Sequence, residues 1–221
     1  MIRAARSAEA QRVSRRALLA GCAGLACAAA ARDACATDDG QVFEKIARAR
    51  APVHTLRGPF EQTRSIGLLS TDVRSRGTLM LVRPDRLRWQ LDPPDEVTFW
   101  IGPEGLAYRS AHDQGRVAPT TARIAGALED LRTVLGGDLG LLRDRWRLSV
   151  LRFDAAGAEL QAEAREAQPG GPRTMRLTLG ADLVRPARVV LVDGAHDRTL
   201  IDFGTLTINA PIDESLMRPP G

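Results

Sequence analysis

The sequence predicts a mainly β fold with a helical lid: an incomplete antiparallel β-barrel, or half-barrel, closed by amphipathic helices. Two observations predict it. From His54 onward, apolar residues recur with period two in short runs separated by Gly, Pro and Asp, the pattern of consecutive strands joined by turns. Two other stretches, near the start and near residue 125, carry apolar residues at spacings of three and four, the pattern of helices laid on a sheet. Many strands with short connections favour an antiparallel sheet, strongly curved or nearly closed.

The first 36 residues read as an export signal to be removed. Arg3, Arg6, Arg12, Arg15 and Arg16 precede an apolar run from Ala17 to Ala31, too short to span a bilayer. Ala34-Cys35-Ala36 supplies a small-x-small cleavage site, which places the mature start near Thr37. Ser14-Arg15-Arg16-Ala17-Leu18-Leu19 resembles a twin-arginine signal, and the general secretory route fits the same segment. Leu19-Ala20-Gly21-Cys22 matches a lipobox that would lipidate Cys22. Only five residues separate Arg16 from Cys22, fewer than the roughly 7–15 of an apolar signal core, so the match reads as chance.

This segment also carries the charge excess. It holds six of the 31 basic and two of the 27 acidic residues, leaving 25 of each from residue 37 onward. Arg outnumbers Lys thirty to one, and the arginines alternate with acids through the strands. That is no nucleic-acid footprint. Cys22, Cys27 and Cys35 all lie in the leader, so residues 37–221 offer neither disulfide, thiol nucleophile nor cysteine metal ligand. They suffice for one domain with a sizeable core.

The mature part opens with a helix capped by Asp38 or Asp39. Val42, Phe43, Ile46 and Ala47 share one face, and Pro52 ends it. Thr78–Val82 is apolar on both faces and is expected to be covered twice. Arg86–Leu91 alternates cleanly, with Leu87, Trp89 and Leu91 on one side. Gly102-Pro103-Glu104-Gly105 joins Val97–Ile101 to Leu106–Arg109. The main helix starts at Pro119-Thr120-Thr121, carries Ile124, Leu128, Leu131 and Leu135, and stops at Gly136-Gly137. A further helical turn follows at Leu139–Arg143. Trp146–Phe153, Ala158–Ala164, Thr174–Leu179, Ala187–Val192 and Thr199–Ile208 read as strands, punctuated by Asp154–Gly157 and Gln168–Pro172.

Catalytic patterns are missing. His54, His112 and His196 stand alone, with no second ligand at i+2 to i+5, whereas zinc needs three or four converging groups. No nucleophile elbow, P-loop or dinucleotide fingerprint occurs. Asp95-Glu96 and Glu129-Asp130 read as solvated charges. The expectation is a protein without enzymatic activity, cofactor or metal.

Several short motifs, in order, do carry information. They are Phe60-Glu61-Gln62, the block from Gly77 through Arg83-Pro84 to Trp89, the step Pro94-Asp95-Glu96 leading to Tyr108, the helical insertion, and a closing strand before Pro219-Pro220-Gly221. Together they resemble the LolA family of outer-membrane lipoprotein carriers, from about Asp39 to the end. The resemblance implies a half-barrel whose concave face is closed by helical lids and which carries acyl chains across the periplasm as a monomer. It implies lipoprotein acyl chains or another lipid as cargo, an inner-membrane donor complex and an outer-membrane acceptor. It also implies a lid latch at Arg83, whose family counterpart bonds to lid backbone.

With that fold, Leu79, Leu81, Leu87, Trp89, Leu91, Phe99 and Ile101 are the expected cavity lining, with Trp100 beside them. The sequence departs from the family in its low aromatic content and in Leu216 or Met217 where Phe precedes the Pro pair. A LolA-related carrier of another amphiphile, such as a glycolipid or acylated pigment precursor, is therefore the alternative. The lipoprotein sensors of envelope stress use a related half-barrel but add a second domain, for which residues 37–221 leave no room.

Overall fold

A computed structural model describes residues 38–67, 71–116, 122–136, 139–166, 172–193 and 197–220, all within one compact unit, Thr37–Gly221. The leader with Cys22 and its cleavage site, the helix start at Pro119–Thr121, Gly137, most of the Gln168–Pro172 connection and His196 lie outside the described residues.

Helix α1 spans Asp39–Arg50, and the Asp38 carboxylate caps it by accepting from the Gly40 amide at 3.0 Å. Its buried stripe is Val42, Ile46 and Arg50, with Phe43 half-buried and Ala47 exposed. The stripe is thus narrower than the sequence pattern suggested, and an arginine continues it where Ala47 was expected.

A first meander follows: β1 (Thr55–Ile66), β2 (Thr71–Val82), β3 (Arg86–Leu91), β4 (Thr98–Gly102), β5 (Gly105–Arg109) and β6 (Gln114–Arg116). Helix α2 (Ala122–Gly136) and a 3₁₀ turn (Leu139–Leu142) lead to a second: β7 (Trp146–Asp154), β8 (Gly157–Ala164), β9 (Thr174–Leu179), β10 (Pro186–Val192), β11 (Arg198–Phe203) and the short β12 (Thr207–Ile208). All described pairings are antiparallel. They make a 12-stranded sheet in the order β6-β5-β4-β3-β2-β1-β11-β10-β9-β8-β7, with β12 also on β1. The meanders meet where β1 pairs with β11, from Phe60↔Phe203 to Ser65↔Arg198. β6 and β7 end the sheet unpaired with each other, so it is open, as a half-barrel requires.

Strand β6 has no counterpart in the sequence expectation, and two further strands differ from it. β2 begins at Thr71, because the polar stretch Asp72–Arg76 gives no hydrophobic alternation to read. The stretch Thr199–Ile208 is broken between β11 and β12. Pro59 offers no N–H to continue the ladder; its carbonyl accepts from the Gly204 amide at 3.0 Å. The detour then buries Leu206 against Gly58, where a Cβ would come within 2.7 Å of the Leu206 side chain and the Thr205 carbonyl.

Register decides which side chains meet. Leu56, Leu81, Leu87, Ile101 and Leu106 pair in one row across β1–β5, and Leu79, Trp89, Phe99 and Tyr108 in the next. The second meander continues the same face through Leu160, Leu177, Val189 and Ile201. Leu131, Val134 and Leu135 of α2 and Val42 and Ile46 of α1 are buried in the same core. The sheet is therefore greasy on the helix-covered face and charged on the other. Thr78, Met80 and Val82, on that other face, are only half-buried, so β2 is fully covered on one side rather than two.

Candidate functional site

The seven residues expected to line a cavity all lie on one face. Cross-strand pairing aligns Leu79 with Trp89 and Phe99, Leu81 with Leu87 and Ile101, and Leu91 with Gly77. Leu79, Leu81, Leu87, Trp89 and Ile101 are buried, while Leu91 and Phe99 are partly buried and pack against them. Trp100 is a correction: its pairing with Arg88 sends it to the opposite face. There its indole N–H donates to the Leu216 carbonyl at 2.8 Å, and Arg88 and Arg109 sit near its ring at 5.8 and 5.9 Å. Alternation in β4 contained that answer, since Phe99 and Trp100 are neighbours and cannot share a face.

The centre of the first meander is an aromatic stack. Phe60 lies on Trp89 with centroids 3.7 Å apart and planes 26° from parallel, and Phe203 meets Trp89 edge-on at 6.4 Å. Such pairs contribute about 0.5–1.5 kcal/mol beyond the area they bury. Phe60 and Trp89 stand on strands separated by β2, and Gly77 of β2 leaves the space through which the Phe60 ring reaches across.

Helix α2 covers this face with the leucines read from the sequence. Leu131 and Leu135 are buried and Leu128 packs partly buried on the core; Ile124 falls within α2, its side chain outside the described residues. Val134, which sequence spacing did not single out, is buried beside them at 1 % exposure.

Polar contacts fasten α2 on three sides. The Arg132 guanidinium donates to the Asp85 carbonyl at 3.2 Å, tying α2 to the β2–β3 turn. Asp130, 1 % exposed, pairs with Arg145 at 3.0 Å and accepts from the Trp146 indole at 3.3 Å, tying it to the start of β7. Arg50 donates from Nη1 to the Val134 carbonyl at 2.7 Å and from Nε to the Leu183 carbonyl at 3.3 Å. Val134 belongs to the last turn of α2, whose carbonyls lack intrahelical partners and attract cations.

Arg83, the residue expected to latch the lid, donates from Nη1 to the Arg50 carbonyl at 2.5 Å and the Val53 carbonyl at 3.2 Å. It therefore closes the C-terminus of α1, and Arg50 is the arginine that reaches α2. The sequence concealed Arg50, because a cation in a last helical turn reads as an exposed dipole partner. In fact it is 3 % exposed, and burial, followed by the nearby Arg83 charge, lowers its pKa to about 10.

Burial raises the Asp130 pKa against the opposing pull of Arg145 and the Trp146 N–H. The folded state thus holds this proton more tightly than the unfolded chain. The stability Asp130 contributes is present below the ordinary carboxylate pKa and declines as pH rises through the window up to the raised one. Asp130→Asn keeps an acceptor for Trp146 without the charge. Urea midpoints of the two proteins should lie close at pH 4 and diverge in the variant's favour by pH 7; a constant difference would show that Asp130 titrates normally.

Between α1, the Leu139–Leu142 turn and the second meander is a cavity of only about 20 Å³, walled by Val134, Leu142, Leu148, Leu160, Met175 and Leu177. That is room for roughly one water-sized group. Among the described residues no cluster of three metal-binding side chains occurs, and His54 and His112 are exposed. Among the described residues no helix is long and apolar enough to cross a membrane.

Residues 51–101 match the family model described as Outer membrane lipoprotein carrier protein LolA. No curated protein matches the sequence. Among solved structures, MucB aligns with a TM-score of 0.52 at 13% identity, over 83% of this chain and 63% of MucB. A LolA superfamily protein from Nitrosomonas europaea aligns at 0.49 and 9% identity, over 81% and 97% of the two chains. A protein described as an outer membrane lipoprotein-sorting protein domain, from Vibrio parahaemolyticus, aligns at 0.47 and 11% identity, over 82% and 100%. At such identities the likeness is one of fold.

Proposed function

We propose that this chain, related to the LolA family, is an exported periplasmic carrier that shields acyl chains and passes them from an inner-membrane donor to an outer-membrane acceptor. The observation that carries the reading is the apolar face itself. Leucines and aromatics form a continuous lining across both meanders, under a helix held by a few arginine–carbonyl and carboxylate contacts. Each methylene of a lipid tail gains about 0.8 kcal/mol on leaving water, so such a lining under a movable cover suffices for carriage with no chemical step. The apolar cavity beneath the 3₁₀ turn is too small for an acyl chain, and this reading takes the cover as closed. Loading then requires α2 or α1 to shift.

Lipoprotein acyl chains are the leading cargo, with another amphiphile as the alternative. The test is mass spectrometry of lipids that co-purify with the protein from its native periplasm, followed by titration of the delipidated protein with a lipoprotein and a fluorescent fatty acid. Co-purified lipid, or micromolar binding of either probe, is expected. A folded protein that carries no lipid and binds neither probe would end the carrier reading.

A further inference from the structure

Outside the small apolar cavity, between α1 and the 3₁₀ turn, opens a groove of about 480 Å³. The two spaces share two side chains, Phe43 of α1 and Leu139 of the turn, which line both. One half-buried ring and one leucine therefore form the partition between solvent and the lid-covered core. The rest of the groove floor is small, with Gly40, Ala47 and Gly140 among its lining. The turn that bears Leu139 also holds Leu141 out into solvent at 65% exposure.

A cation stands at this partition. The Arg143 guanidinium lies 5.5 Å from the Phe43 ring centroid, is exposed, and forms no ion pair among the described residues. The groove's acid, Glu44, is turned toward Arg48 at 3.7 Å. An apolar passage behind an aromatic flap, with an exposed guanidinium at its rim that forms no ion pair among the described residues, fits one chemistry: an acyl chain whose head bears a negative charge. The chain would displace Phe43 and run into the core, and the anion would take Arg143 from the ring.

We infer that the Phe43–Leu139 partition is the entry portal for acyl chains, and that Arg143 selects anionic amphiphiles there. The inference rests on the carrier reading and adds to it a place of entry and a preferred head-group charge. The test compares cis-parinaric acid, a fluorescent fatty acid, with its uncharged methyl ester, using the purified wild-type protein and three variants.

Arg143→Glu should weaken binding of the acid about tenfold, the scale of one charge-assisted contact, and leave the ester's affinity within about twofold. Phe43→Ala should speed association of both probes several-fold. Ala47→Trp, a substitution of an exposed residue that fills the groove, should slow association of both. Wild-type protein that binds both probes, together with variants whose rates and acid-to-ester ratio are unchanged, would overturn the portal and leave the carrier reading standing. Wild-type protein that binds neither probe would overturn the portal, and the carrier reading falls with it when the protein also carries no co-purified lipid and binds no lipoprotein.

Discussion

Alanine at position 77 should lower stability by about 3 kcal/mol, although a methyl group in a strand ordinarily helps. The backbone around Gly77 leaves no room for it. A Cβ there would lie 1.9 Å from the Gln90 carbonyl oxygen and 2.8 Å from the edge of the Phe60 ring. The first contact is with the backbone of β3 and can be relieved only by parting β2 from β3. The second blocks the path by which Phe60 reaches Trp89. A loss of that size corresponds to a fall in melting temperature of roughly 6–12 °C for a domain of this length. Gly77→Ala in a Phe60→Leu background separates the two contacts, because shortening residue 60 relieves the ring and leaves the carbonyl. The double variant should show no rescue beyond the single one. Gly77→Ala with wild-type melting would mean that β2 and β3 part easily here and that the stack is not held by the glycine.

The same site shows what a sequence discloses of such a fold. Leu87 and Trp89 lie in the stretch with the clearest period-two signal, Arg86–Leu91, and the structure places them on one face together with Leu79 and Leu81 of the neighbouring strand. Strand alternation is a local property, and one register settles all of it. The joining of β1 to β11 is not local: its partners stand well over a hundred residues apart, and nothing in either strand names the other. Arg50 and Asp130 were illegible for a related reason. Both sit at positions that local rules assign to solvent, and both are buried only because a distant element supplies their partners. The groove at Phe43 is likewise a product of two elements nearly a hundred residues apart.

Replacing Arg83 with Leu should tighten cargo binding by about tenfold or more and slow its transfer onward. Arg83 donates to two carbonyls at the end of α1, and hydrogen bonds from a charged donor contribute about 1.5–3 kcal/mol. On the carrier reading those bonds hold the cover in its closed arrangement. Removing them leaves the loaded state less affected, so the equilibrium moves toward cargo by that difference. Release is the reverse step and loses the same drive. Arg50 bonds α2 directly, yet its removal is expected to matter less. Arg50→Met gives up the bonds to Val134 and Leu183, but it also removes the cost of holding a cation away from water. Fluorescent-lipid affinity and the rate of transfer to acceptor vesicles, measured for both variants, give the ordering. Arg83→Leu protein that is folded and transfers at the wild-type rate would remove Arg83 from the latch. An Arg50→Met effect larger than that of Arg83→Leu would move the latch to α2 itself.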